Sequence, residues 1–352
     1  MPDQSQPLGD QVTEAISQKR ALYIQGNNTK AFLGNECDAS TLDVSNHSGI
    51  LHYEPTELVI TARAGTPLSE IIHNLDAHQQ MLAFEPPAFG EHATLGGTIA
   101  CNLSGPRRPY TGAARDYVLG CRMINGQGQI MQFGGEVMKN VAGYDVSRLM
   151  TGSLGTLGIL LDVSLKVVPK PQKEITISKE VSAEQALQLM AHWRQQPAPI
   201  SASCHDGQQL FFRLSGTEQA LKAARNKIGG ERVDNDTLFW QRLNEHQHAF
   251  FNTRKKVWRL SLPSTAPLLE LEGKTMMDWG GAQRWLVSDA NPETVRTKVA
   301  SIGGHATVYR NNNTDTNSFH PLDGNMLFIH QQLKKALDPH GLFNPGKMYS
   351  EI

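Results

Sequence analysis

The run Ala93-Thr94-Leu95-Gly96-Gly97-Thr98-Ile99-Ala100-Cys101-Asn102, with Ser104-Gly105 close behind, decides how the rest of the chain is read. It lies within Phe84–Gly112, a stretch dense in Gly, Pro, Ala, Ser and Asn and nearly without periodicity. A loop of that length in a compact domain is normally functional. Glycine lets a backbone N–H approach an anion closely, because no Cβ intervenes and unusual φ values cost little. Two other runs share this character. Gln25-Gly26-Asn27-Asn28-Thr29-Lys30 directly follows the strand-like Ala21–Gln25, and Gly152-Ser153-Leu154-Gly155-Thr156-Leu157-Gly158-Ile159 feeds the apolar strand Ile159–Val168. Each run alone is a common strand-to-loop turn.

The familiar phosphate-binding signatures are missing. No G-x-G-x-x-G occurs, and the lone Gly126/Gly128 pair falls in a hairpin turn. A G-x-x-x-x-G-K-[ST] loop is absent as well, which argues against an NTPase. Basic and acidic side chains are nearly balanced, 33 against 34, so a nucleic-acid partner is disfavoured. With 352 residues and 39 % hydrophobic content the chain can fill two domain cores.

The polar start, Met1 to Gln11, contains no apolar leader segment, and the apolar Gly158–Val168 is interrupted by Asp162 and Lys166. The expectation is a cytoplasmic protein, with peripheral docking at the inner face of a membrane left open. Cys37, Cys101, Cys121 and Cys204 form no C-x-x-C pair and no iron–sulfur or zinc spacing. They read as reduced core thiols.

Periodicity predicts a helix from Asp10 to Arg20 with Asp10 as N-cap, a strand over Leu58–Ala64, and a helix from Thr66-Pro67 to His78. Tyr117–Ile124 and Gln129–Phe133 flank Asn125-Gly126-Gln127-Gly128 as a hairpin. Pro169-Lys170-Pro171 marks the domain boundary. Beyond it the chain reads as strands at 174–179, 200–205, 208–214, 257–262, 282–288 and 305–310. Helices are expected at 183–195, 217–228, 236–250 and 293–302, giving an α+β layer that is partly ferredoxin-like. Every tryptophan falls in this second part, and they read mostly as core. Asn325–Leu337 predicts an amphipathic helix, followed by a rigid Asp338–Lys347 turn. No internal repeat is visible.

Taken in order, the first loop, Glu85-Pro86-Pro87, Ala93–Asn102, Gly112, Arg115–Val118, Lys139-Asn140-Val141-Ala142-Gly143-Tyr144-Asp145 and Gly152–Ile159 resemble the FAD domain of the vanillyl-alcohol-oxidase (PCMH-type) flavoproteins. The closing Asp338–Lys347 resembles the end of the D-lactate and glycolate dehydrogenase branch. Lys139–Asp145 followed by Arg148-Leu149 is similar to an FAD-binding subunit of bacterial glycolate oxidase. The resemblance covers roughly the first 170 residues and the last 20.

It implies an α+β protein with a PCMH-type FAD-binding domain of two α+β subdomains at 1–170. A smaller ferredoxin-like α+β cap at 171–324 would bind substrate or a partner, and 325–352 would return to the FAD domain. By position, Gly26, Asn27, Asn28, Thr29 and Lys30 would cradle the diphosphate. Pro86, Pro87, Thr94, Leu95, Gly96, Gly97, Ala100 and Asn102 would line the path to the ring. Gly155 and Ile159 would follow the adenine and ribose, and Asn344 would return near the isoalloxazine. The first loop has no histidine, so the FAD is expected to be non-covalent.

The implied reaction is oxidation of glycolate, and of D-lactate as a further small 2-hydroxy acid, to the 2-oxo acid. Hydride would pass to the flavin, and electrons would leave through an iron–sulfur subunit beside a homologous flavin subunit. Two departures temper this. Leu154 stands where many relatives carry Glu, and His305 has no adjacent acid of the kind that binds metal and deprotonates a hydroxy acid. No catalytic residue or metal ligand is assigned. Two alternatives remain: a flavin electron-relay or structural subunit whose sister performs the oxidation, and a nucleotide-binding, non-redox module. His246 and His248 are expected to face different sides. Arg107-Arg108 suits an anionic substrate, an acidic partner or a solvated loop.

Overall fold

The computed structural model describes residues 2–135, 144–310 and 317–352. Lys139, Asn140, Val141, Ala142 and Gly143 of the signature run lie outside the described residues. The chain divides into two compact units. Unit 1 comprises Met1–Leu103, Ala113–Pro169 and Pro321–Ile352; unit 2 comprises Ser104–Gly112 and Lys170–His320.

Unit 1 opens with a helix that starts earlier than its periodicity suggested, at Ser5 rather than Asp10, and runs to Gln18. The reason is local. The Asp3 carboxylate accepts from both the N–H and the hydroxyl of Ser5, so the first turn is capped by a side chain upstream of the periodic stretch. Leu8, Val12 and Ala15 face inward, and Lys19 ends the helix in the left-handed region at φ 53°.

Strand β1 (Leu22–Gln25) pairs in parallel with β2 (Ser40–Asp43). Five antiparallel strands form the main sheet in the order β3-β4-β8-β6-β7: β3 Ile50–Glu54, β4 Val59–Arg63, β6 Val118–Ile124, β7 Ile130–Gly134 and β8 Ile159–Lys166. A short pair, β5 (Gln80–Met81) and β9 (Val168–Pro169), completes the unit.

Central β8 is covered on both faces, and its register explains how. Arg122 pairs with Asp162 but Met123 pairs with Leu160, so Leu161 is the extra residue of a bulge. The bulge reverses the alternation. Ile159 and Leu161 pack with Leu22, Leu42 and Phe343, while Leu160, Val163 and Leu165 join the larger core beneath Leu68, Ile71 and Leu75. Asp162, in sequence merely an interruption of an apolar run, is 3 % exposed. It accepts from His47 Nε2 at 3.2 Å and from Arg122. His47 Nδ1 in turn accepts from the Gln4 N–H, tying the first helix to the sheet.

Unit 2 is one eight-stranded sheet. Its strands are β10 (Lys173–Glu180), β11 (Ile200–His205), β12 (Gln209–Gly216), β13 (Glu231–Arg232), β14 (Val257–Ser261), β15 (Lys274–Asp278), β16 (Gln283–Val287) and β17 (His305–Arg310). The order β13-β10-β12-β11-β15-β16-β14-β17 contains the same arrangement twice. Numbered within each group of four, the first half reads 4-1-3-2 and the second 2-3-1-4, its mirror in order. The two halves join edge to edge where Cys204 pairs with Asp278. The layer is therefore a tandem ferredoxin-like sheet, although the sequence shows no repeat: topology is held by burial pattern and turn positions, which many sequences satisfy.

Several expectations are corrected in unit 2. Strand β15 was not foreseen. The helix expected over 236–250 spans Asp236–Asn244, because His246 turns into the left-handed region at φ 53°. His246 then stacks on Phe251 with centroids 4.0 Å apart. Arg107 is neither a surface guide nor solvated: it is 6 % exposed and paired with Glu174 at 2.6 Å. All five tryptophans are buried, as their positions suggested.

Of the thiols, only Cys121 and Cys204 are buried; Cys37 and Cys101 are half-buried. In unit 1, the helix Gly324–Leu337 does not behave as an ordinary amphipathic helix. Its one buried residue is Lys334.

Candidate functional site: a glycine-lined slot in unit 1

The first loop leaves the end of β1 with its amides unused. Among the described residues, the N–H groups of Gly26, Asn27, Asn28 and Thr29 donate to no protein acceptor. The loop is nonetheless fixed. Asn27 Nδ2 donates to His92 O at 2.9 Å, Tyr23 Oη to Asn28 Oδ1 at 3.0 Å, and Lys30 Nζ to Ala88 O at 3.2 Å. Asn28 adopts φ 59°, a left-handed value that asparagine tolerates better than most residues. Consecutive amides in such a turn form a concavity that attracts anions.

The second run is not a loop throughout. Leu95–Cys101 is a helix, and Thr94 is its N-cap, accepting from Gly97 N. Its early amides are already engaged: Leu95 N donates to Thr66 O and Gly96 N to Ala64 O. Gly96 and Gly97 therefore do not offer anion-binding amides. They permit close approach, since a Cβ on Gly96 would lie 2.7 Å from Ala64 Cβ. The sequence pattern conceals this helix because three of its seven residues are Gly or β-branched Thr, which have low helix propensity.

Gly26 depends on the same threonine. An added Cβ there would meet Thr94 Oγ1 at 2.5 Å. Gly26→Ala is expected to displace the cap and lower stability by about 1 kcal/mol, measured by urea unfolding. An unchanged midpoint would show that Thr94 can move aside freely.

The third run reaches the first through the C-terminal segment. Asn344, 2 % exposed and at φ 42°, accepts from Ile24 N at 2.7 Å and donates to Leu154 O at 2.6 Å. Its own N–H donates to Leu22 O, and Leu22 N donates to Leu342 O, so this segment pairs with β1. Gly155, at φ 73°, faces Asn344, and a Cβ there would sit 2.7 Å from Nδ2.

These pieces line one cavity, open to solvent, whose empty space counted together with the adjoining solvent is about 810 Å³. Gly26, Asn27, Asn28, Thr29 and Lys30 line it, as do Thr94, Gly96, Gly97 and Ala100, and Gly155 and Asn344. Pro86, Pro87, Leu95, Asn102 and Ile159 do not line it. Leu95 and Ile159 are core residues, and both prolines are buried. Asn102 ends the helix at φ 49°, beside the Gly152 turn.

Tyr23, Cys101, Ser153 and Lys347 also line the cavity and were not singled out from sequence. A serine inside the third glycine run and a lysine closing Asn344–Lys347 were the signals available. Burial pushes the Cys101 thiol up to about 11, against the pull of Lys30 and Lys347. Burial also raises the Tyr23 hydroxyl.

The lining suits a flavin dinucleotide. Free amides answer the diphosphate, and Val44, Leu154 and Leu160 offer apolar cover for flat rings. One buried oxygen of the lining, Ser153 Oγ, has no partner among the described residues and would gain one.

A family described as an FAD binding domain matches residues 1–134. Glycolate oxidase subunit GlcE of Escherichia coli (strain K12) is 51 % identical over 350 residues, covering 99 % of this chain and 99 % of that one. The chain belongs to the GlcE family of glycolate oxidase subunits. It is an FAD-binding member of the oxidoreductases, and its family is named for one subunit of a larger enzyme.

A more distant relative of this GlcE-family chain is glycolate oxidase subunit GlcD of Bacillus subtilis (strain 168). It is 36 % identical over 129 residues, covering 36 % of this chain and 27 % of that one. Among solved structures, alkyldihydroxyacetonephosphate synthase superposes with TM-score 0.68 at 14 % identity, over 96 % of this chain and 75 % of that one. At that identity the likeness is one of fold. Among the described residues, no helix is long and apolar enough to cross a membrane.

Proposed function

We propose that this chain is the FAD-binding subunit of a glycolate-oxidising complex, in which it holds non-covalent FAD in the unit 1 slot. The observation that carries the reading is the row of unengaged amides at Gly26–Thr29, residues that line one solvent-open cavity in a chain of this family. When bound, FAD supplies a two-electron acceptor for oxidation of a small 2-hydroxy acid to the 2-oxo acid. The chain's own part is to grip the diphosphate with the first loop and to wall the slot with small residues. Asn344 keeps the first and third loops in register. The domain roles are a PCMH-type FAD domain at 1–170 and 325–352 and a cap at 171–324. Electrons pass to an iron–sulfur subunit beside a homologous flavin subunit, and the complex docks peripherally at the cytoplasmic face of the membrane.

His305 favours a second reading, an electron-relay subunit. It opens β17 as an exposed residue, without a neighbouring acid in sequence. Purified chain mixed with FAD should turn yellow and, made anaerobic, should bleach with glycolate. Bleaching only after a sister flavin subunit is added selects the relay reading. A folded, colourless chain that takes up no FAD overturns both.

A further inference from the structure

Lys347 carries a charge that no ion pair among the described residues balances. It is 7 % exposed. Its Nζ donates to Ala31 O at 3.3 Å and lies 5.6 Å from the centre of the Tyr23 ring. Among the described residues it makes no ion pair. An ammonium has three donors, and only one is used here. The acid that influences it, Glu36, acts more weakly than the thiols of Cys101 and Cys37, and burial lowers the lysine below its ordinary range. A buried cation without a counter-ion is unfavourable unless something else supplies the charge.

Nor is Lys347 a loose surface lysine. Its carbonyl accepts from Asn35 N at 2.9 Å, Asn35 Nδ2 donates to Gly346 O, and its own N–H donates to Asn344 O at 3.2 Å. Gly346, at φ 71°, makes the turn that aims the segment back. The side chain thus reaches a fixed place: the cavity lined by Gly26–Thr29, beside Ala31, just past the free amides.

We propose that Lys347 is the counter-charge for the diphosphate of the bound flavin dinucleotide, complementing the hydrogen bonds of the Gly26–Thr29 amides from the C-terminal segment. This rests on the slot being the FAD site. The amides supply direction, and the Lys347 ammonium adds charge from the C-terminal segment to the same cavity that Lys30 lines from the first loop. The C-terminal turn is then part of the cofactor site rather than a tail.

The test compares full-length wild type, Lys347→Gln and Lys347→Arg for binding of FAD and of riboflavin, which has no phosphate, by flavin-fluorescence titration. Glutamine keeps a donor for Ala31 O but loses the charge. Lys347→Gln should weaken FAD binding roughly 10- to 100-fold, the range of a charge-assisted hydrogen bond, and leave riboflavin within about twofold. Lys347→Arg should recover most of the FAD affinity. Equal losses for FAD and riboflavin would reduce Lys347 to a packing role, and an unchanged FAD affinity would overturn the proposal while leaving the FAD reading intact. If Lys347→Gln fails to fold, Lys347→Arg decides: near-wild-type FAD affinity supports the charge, and equal losses of both flavins overturn it. A wild type that binds neither flavin fails the FAD reading itself and takes this inference with it.

Discussion

Lys334→Met should cost about 3–5 kcal/mol of stability, the range for breaking a buried ion pair from one side. Lys334 is 8 % exposed and Asp338 is 1 % exposed, and their charged groups lie 2.9 Å apart. The ammonium also donates to Thr156 O at 2.8 Å and Phe343 O at 2.6 Å, so one side chain joins the helix, the third loop and the C-terminal segment. Methionine fills similar volume but leaves Asp338 as an uncompensated charge and two carbonyls without a donor. Asp338 still accepts from Leu342 N and Phe343 N, which soften the loss without neutralising the carboxylate.

Urea unfolding at neutral pH measures this, and a loss under about 1 kcal/mol would place the pair among exposed ones. The pH dependence has a definite sign. Burial lowers Lys334 in the folded chain below its ordinary 10.5. Between the folded and unfolded values the unfolded chain binds more protons, so this group makes stability rise with pH just below 10.5. Lys334→Met should remove that slope.

Asn344→Leu should be nearly as severe, roughly 2–5 kcal/mol, because it orphans two backbone groups at once, one half-buried and one buried. Ile24 N–H and Leu154 C=O both meet this one amide, at 2.7 and 2.6 Å. Leucine can satisfy neither, and it is less suited than asparagine to φ 42°. The effect should extend beyond stability, because Ile24 and Leu154 both line the slot. The variant should release FAD faster than wild type even at temperatures where it remains folded. Asn344→Asp discriminates the cause: its carboxylate can still accept from Ile24 N but faces Leu154 O with no donor, so it should fall between wild type and leucine. Intact FAD retention in Asn344→Leu would mean that the loops hold their spacing without this bridge.

Much of the site was legible because three glycine-rich runs in one chain, taken together and in order, point at backbone approach where each alone would not. Gly26–Thr29 emerged from the break after Ala21–Gln25, and the structure brings them, Gly96, Gly97, Gly155 and Asn344 to one cavity. What those residues do there was less legible. Gly96 and Gly97 looked like amide donors, but a cap at Thr94 and the carbonyl of Ala64 had already engaged those amides. Lys347 closes a conspicuous Pro- and Gly-rich turn, yet nothing in that turn marks it, because a lysine's burial is invisible until the segment that carries it is placed.

The sequence alone determined the class of each segment: which stretches alternate, where turns must fall, and which backbone must be free of side chains. Those properties are local, set by sterics and periodicity within a few residues. Tertiary structure decided everything that depended on partners distant in the chain. Ile24 and Asn344 are 320 residues apart, Thr156 and Lys334 178, and His47 and Asp162 115. Hydrogen bonding and charge compensation inside a protein are properties of pairs, and one strand's bulge at Leu161 sufficed to change which face its neighbours served.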